Sequence, residues 1–171
     1  MQRSAEKREL DTRNKIFRLE ELVSRVQEHK RHGQRVVLAN GCFDILHVGH
    51  ARYLAGARNE GDVLVVAINA DDSVRALKGA GRPILDAEAR ARLVAALGCV
   101  SYVVIFQEPD VTRLLSTLRP DVHAKGTDYS AETVPERETA RLLGIRIAIV
   151  GDLKNHSTRD LLARLRSPAH A

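Results

Sequence analysis

Val36-Val37-Leu38-Ala39-Asn40-Gly41-Cys42-Phe43-Asp44-Ile45-Leu46-His47-Val48-Gly49-His50 holds the pattern that fixes the kind of fold. Val36 to Ala39 is apolar without polar interruption, as in a parallel strand buried on both faces, and Asn40-Gly41 breaks it. Val48, Tyr53, Leu54 and Ala57 then recur at helical spacing, so a helix follows and His47 and His50 sit beside its opening turn. Parallel sheets bind ligands just past the carboxyl ends of their strands. Unpaired backbone N–H groups and the positive end of the helix dipole favour an anion there. Two imidazoles add donors, and Gly49 lets a ligand approach the backbone. A phosphate is the expected ligand.

Outward from this stretch the pattern repeats. Before it, Lys15 to Lys30 places Ile16, Leu19, Leu22, Val23 and Val26 on one face, which predicts an amphipathic helix ended by Gly33. After it, Val63 to Ile68 reads as a second apolar strand closed by Asn69-Ala70-Asp71-Asp72. Leu77 to Pro83 reads as a loop rich in glycine and cation, followed by a helix from Asp86 to Leu97 that Cys99 ends. A third strand is predicted at Tyr102 to Phe106, and a helix through Val111, Leu114, Leu115 and Leu118. A fourth strand, Asp121 to Ala124, runs into Lys125-Gly126-Thr127-Asp128-Tyr129. A helix near Pro135 to Leu143, a strand at Ile145 to Val150 and a last helix from Ser157 to Leu165 complete the alternation. Strict alternation with short connections predicts an α/β, Rossmann-like, doubly wound sheet of five parallel strands with helices on both faces. Asn40 to His50 would lie at the edge of its central strand.

With 171 residues, 44% hydrophobic and 29% charged, the chain has the composition of an ordinary globular protein. Residues 1–14 are expected to be a flexible N-terminal segment and 15–166 a single domain that includes the N-terminal helix. No run approaches the roughly 20 apolar residues of a membrane span, and the first residues lack an apolar leader core, so a cytoplasmic protein is expected. Cys42 and Cys99 are the two cysteines, too few for a disulfide framework or a metal spacing, and both are expected as reduced thiols. Net charge is +5, and Met1 to Arg35 holds ten Lys or Arg against six Asp or Glu. These charges are mixed rather than blocked and few aromatics accompany them, which reads as a solvated face and not a nucleic-acid surface. His29, His32 and His170 read as surface residues.

Every polar cluster falls after a strand: Asn40 to His50, Asn69 to Asp72 with the Lys78 loop, Lys125 to Tyr129, and Asn155 to Thr158. Neither a Gly-x-x-x-x-Gly-Lys-Ser/Thr loop nor a Gly-x-Gly-x-x-Gly after the first strand is present, so the phosphate cradle is His-x-Gly-His. A rival use of the histidine pair, zinc coordination, lacks a third ligand at suitable spacing.

These motifs in order, Asn40 to His50 with Lys78-Gly79, Arg82-Pro83, Lys125 to Tyr129 and Ser157-Thr158, resemble the cytidylyltransferase-like nucleotidyltransferases. Within them the chain is most similar to the adenylyltransferase domain of bacterial ADP-heptose synthases, from about Ile16 to Leu165. The resemblance implies a chain without a sugar-kinase domain that joins AMP from ATP to a sugar 1-phosphate, D-glycero-D-manno-heptose 1-phosphate, and releases pyrophosphate. His47, His50 and Lys78 would be catalytic. Asn40, Gly41, Cys42, Phe43, Gly49, Lys125, Gly126, Asp128, Ser157 and Thr158 would bind the nucleotide, and Asp44, Asn69, Asp71 and Arg82 the acceptor. Mg²⁺ would enter with ATP, bridging phosphate oxygens without direct protein ligands. A homodimer that binds ATP and a sugar phosphate, with no nucleic-acid or membrane partner, is expected.

Elementary chemistry suits that reaction. In-line attack of one phosphate on another needs charge on the equatorial and leaving oxygens stabilised and two repelling groups held together, which cations and N–H donors can do. Other uses of the same residues stay open. Asp44 could simply hold the turn, Ser157 with Asp160 could cap a helix, and Glu88 with Arg90, which match a Glu-x-Arg of the family, could be a solvated pair. Two departures from the family are Arg159 after Ser157-Thr158, where a second Thr is usual, and Ser101 in place of an Asp. They leave a cytidylyltransferase or guanylyltransferase acting on another sugar or polyol phosphate, or a nucleotide-sensing module without turnover, as alternatives.

Overall fold

A computed structural model describes residues 12–152 and Leu162. Five parallel strands, β1 (Val36–Gly41), β2 (Val63–Asn69), β3 (Tyr102–Phe106), β4 (Val122–Gly126) and β5 (Arg146–Val150), lie in the order β3-β2-β1-β4-β5. As expected, β1 is central, pairing with β2 from Val36 opposite Val63 to Gly41 opposite Ile68 and with β4 from Val37 opposite Val122. The helices are α1 (Leu19–Arg31), α2 (Val48–Asn59), α3 (Asp71–Lys78), α4 (Ala87–Ala95), α5 (Thr112–Leu118) and α6 (Arg137–Leu142).

Alternation along the strands explains the two helical layers. Val37 and Ala39 of β1 and Leu64, Val66 and Ile68 of β2 point to one side, where Leu54 and Ala57 of α2 and Ala91 and Val94 of α4 pack on them. Val36, Leu38, Val63, Val65 and Ala67 point to the other, against Leu22 and Val26 of α1 and Leu114 and Leu115 of α5. With both faces covered, every residue of β2 is buried, which is why it reads as one apolar run.

Several elements differ from expectation. α1 begins at Leu19 instead of Lys15, because a 3-10 turn at Thr12–Lys15 leads Ile16 and Phe17 away from the helix. Ile16 bridges to Val103 and the Phe17 N–H donates to the Val103 carbonyl at 2.9 Å, which satisfies part of the β3 edge. α3 runs from the polar cluster read as closing the second strand into the loop read from Leu77; it is short and buries only Val74, so it carries no periodic signal. β1 and β4 each run two residues further, so Lys125 and Gly126 belong to a strand and not to a loop. Val48, counted among the apolar positions of its helix, is exposed, and Cys99 lies in the turn beyond α4. His29 is not a surface residue: half-buried, its ring nitrogens lie 2.6 Å from Gln34 Oε1 and 2.8 Å from the Tyr102 hydroxyl. The last predicted helix, Ser157 to Leu165, lies outside the described residues except Leu162, which is helical. No helix among the described residues is long and apolar enough to cross a membrane.

Candidate active site

The carboxyl ends of the strands frame a cleft of about 1150 Å³. Fourteen of the residues singled out in the sequence line it: Asn40, Gly41, Cys42, Phe43, Asp44, His47, Gly49, His50, Asn69, Lys78, Arg82, Lys125, Gly126 and Asp128. Asp71 is not among them, and Ser157 and Thr158 lie outside the described residues.

The turn from β1 into α2 is built around Phe43. Its backbone is left-handed at φ 49°, and its ring is buried beneath Gly41, where an added Cβ would stand 3.1 Å from the ring. That ring lies 5.2 Å from the His50 imidazole and 6.4 Å from the Tyr53 ring, so it sets the height of the first turn of α2. His47 is the N-cap, its Nδ1 accepting from the Gly49 N–H at 3.1 Å, which places the proton of the neutral ring on Nε2. The His47 and His50 rings stack with centroids 3.8 Å apart and planes 24° from parallel. Burial, and then the neighbouring His47, hold the His50 pKa down to about 4, so near pH 7 its ring is uncharged. His50 therefore offers an N–H donor without formal charge, and Lys78, exposed at the end of α3, and Arg82 bring positive charge to the cleft.

Arg82 is held by Asp44. The buried Asp44 carboxylate lies 2.7 Å from Arg82 Nε, and its other oxygen accepts the Ile84 and Leu85 N–H groups at 2.7 and 3.1 Å. Asp44 thus sits in the site and also ties the glycine-rich segment after α3 to the turn after β1. Arg90, fully buried on α4, makes the second tie. Its guanidinium donates to the carbonyls of Cys42 and Leu85 at 2.6 and 2.9 Å and to Asp71 Oδ1 at 2.7 Å. A solvated Glu88–Arg90 pair is therefore ruled out, since Glu88 pairs instead with Arg92 on the exposed face. Asp71 is engaged by Arg90 from behind the cleft. Cys42 Sγ lies 3.8 Å from Asn69 Oδ1, and burial pushes its thiol pKa up against the opposing pull of Lys78 and Arg90.

Across the cleft, Lys125 is buried. Its ammonium lies 3.4 Å from Glu136 Oε2, 3.3 Å from Asn40 Oδ1 and 4.7 Å from the Tyr129 ring centroid. Behind it His123, fully buried, approaches Asn40 Oδ1 at 3.2 Å through Nε2. Burial, and then the Lys125 charge, hold the His123 pKa down to about 3. His123 and Glu136 were missed in the sequence, and Arg90 was noted there only as part of a Glu-x-Arg that could be a solvated pair. The signal for two of them was there: Arg90 precedes Ala91 and Val94 on the apolar face of a helix, and His123 interrupts an apolar strand. Among the described residues no group of three His, Cys, Asp or Glu could hold a metal ion.

A parallel sheet with this central cleft defines a nucleotide-binding α/β protein. The chain belongs to the cytidylyltransferase-like family, whose model matches residues 38–158, and is a nucleotidyltransferase. It is similar to the bifunctional protein HldE of Geotalea uraniireducens, 45% identical over 157 residues, 92% of this chain and 32% of that protein. The HldE of Pseudomonas paraeruginosa is 42% identical over 164 residues, 96% of this chain and 35% of that protein. The chain thus spans about a third of the length of these curated relatives. Among solved structures, the lipopolysaccharide core biosynthesis protein from Thermoplasma volcanium superposes with a TM-score of 0.61 at 28% identity, covering 71% of this chain and 100% of that one.

Proposed function

We propose that the cleft transfers AMP from ATP to a sugar 1-phosphate, D-glycero-D-manno-heptose 1-phosphate, giving ADP-heptose and pyrophosphate for cell-surface polysaccharide synthesis. The observation that carries the proposal is the stacked His47–His50 pair at the start of α2, lining one cleft with Lys78 and Arg82. Similarity to HldE proteins and to a lipopolysaccharide core biosynthesis protein supports the substrate class.

In this reaction an oxygen of the acceptor phosphate attacks the α-phosphorus, the bond from that phosphorus to the bridging oxygen breaks, and the electron pair leaves with pyrophosphate. His47 and His50 donate to the α-phosphate and the departing pyrophosphate as charge moves onto them. Lys78 and Arg82 neutralise the triphosphate and the acceptor, holding two anions in line. Asn40, Gly41, Gly49, Lys125, Gly126 and Asp128 shape the nucleotide's side of the cleft, with Ser157 and Thr158 added from the chain's C-terminal part. Asp44 and Asn69 flank the acceptor, while Asp71, held by the buried Arg90, supports the cleft from behind. Mg²⁺ would enter with ATP without direct protein ligands and would supply charge neutralisation of the triphosphate beside Lys78 and Arg82. No covalent enzyme intermediate is needed.

The test is pyrophosphate release with ATP, CTP, GTP and UTP, each with Mg²⁺, against heptose 1-phosphate and glycerol 3-phosphate. The expected result is fastest release with ATP and heptose 1-phosphate. Preference for CTP or GTP, or for the polyol phosphate, would replace the proposed substrates. Tight ATP binding with no turnover on any acceptor would make the protein a nucleotide-sensing module.

A further inference from the structure

Asn40 lies one residue before the end of the central strand, at the mouth of the cleft, and two buried polar residues converge on one of its atoms. Its side-chain Oδ1 lies 3.2 Å from His123 Nε2 and 3.3 Å from Lys125 Nζ. An ammonium has donors and no acceptor, so the atom it meets must be the amide oxygen and not the nitrogen. Glu136 keeps that ammonium in place at 3.4 Å. Because the oxygen already faces Lys125, His123 must also donate to it, which puts the single proton of the uncharged ring on Nε2. The opposite ring atom agrees: His123 Nδ1 is buried with no hydrogen-bond partner among the described residues, where an N–H would be an unsatisfied donor.

Resting on the proposed nucleotidyl transfer, we propose that His123, Lys125 and Glu136 are positioning residues that lock the Asn40 amide with its oxygen inward, so that its N–H groups donate to a nucleotide phosphate in the cleft. Lys125, whose charge faces Glu136, then acts on the nucleotide through Asn40. The arrangement supplies a hydrogen-bond donor fixed before the ligand arrives, with no reorganisation when charge develops. It also gives the buried histidine and glutamate a defined part in the reaction.

Asn40→Asp separates the two ends of the amide. A carboxylate keeps the inward oxygen that meets both His123 and Lys125, so the fold is retained, but puts a second, anionic oxygen where the amide N–H groups face the phosphate. The expected result is a thermal midpoint close to wild type, MgATP affinity weakened about tenfold in calorimetry, and kcat/KM for pyrophosphate release lowered roughly 10²-fold. At His123, Gln places an amide N–H where Nε2–H lies, whereas Phe preserves packing and removes the donor. His123→Phe should weaken MgATP binding, and His123→Gln should recover at least half of that loss; a packing role alone predicts no such recovery. Asn40→Asp binding MgATP as wild type does, or His123→Gln no better than His123→Phe, overturns the proposal. Wild-type protein that binds MgATP but makes no pyrophosphate with any acceptor would instead defeat the functional reading, while the binding series still decides this one.

Discussion

His50 acts in this account as an uncharged donor, and the burial that keeps it so has a thermodynamic consequence. His50 and His123 have folded pKa values near 4 and 3 against an ordinary 6.5, so the denatured chain takes up protons that the fold refuses. Stability contributed this way is intact above pH 6.5 and is lost as pH falls from 6.5 toward 4, at up to about 1.4 kcal/mol per pH unit for each imidazole. Urea unfolding between pH 7.5 and 4.5 should show that decline, and His123→Gln should make it shallower; a flat profile would mean that the two rings are protonated in the fold. The His-x-Gly-His cradle was legible because its residues are local and each spacing has one reading. His123 and Glu136 were not, since their partners Asn40 and Lys125 come from separate strands and only the sheet register brings them together.

At the scale of elements, the site depends on how α3 and α4 are tied to the turn after β1. Arg90 is the tie whose loss should cost most, because its removal strands the Cys42 and Leu85 carbonyls and leaves a cavity on α4. Arg90→Ala is expected to lower unfolding free energy by on the order of 3 kcal/mol, and Arg90→Lys to recover only part, since one ammonium cannot reproduce a three-way guanidinium fork. Chemical denaturation of both variants checks this; an unchanged midpoint for Arg90→Ala would show that the turn holds itself. Strands and long helices were readable from apolar runs and 3.6-residue spacing. The short α3 was not, because one buried Val74 gives no period, and α1 was read too long because Ile16, apolar for the sake of the β3 edge, falls in phase with the helix.

Across the whole molecule, stability concentrates where β1 and β2 are buried on both faces, and function concentrates where those same strands end. Amide exchange should be slowest at Val36 to Ala39 and Val63 to Ile68, and slower than in β5, which lies at the sheet's edge with Ile149 exposed. Faster exchange in β1 than in β5 would contradict the central placing of the site. A five-stranded parallel sheet with β1 at its centre was legible from alternation, whereas the joining of the cleft's two sides was not, because it runs through Asn40 with His123 and Lys125, contacts between residues more than 80 positions apart in the chain. The most direct test of the account is the steady-state rate of pyrophosphate release by His50→Ala, measured beside its thermal midpoint. The account predicts a folded protein whose kcat is roughly 10² to 10³ lower, with KM for ATP much less changed. A lowered midpoint with near-normal kcat would contradict it, leaving the histidine as part of the turn and the chemistry elsewhere in the cleft.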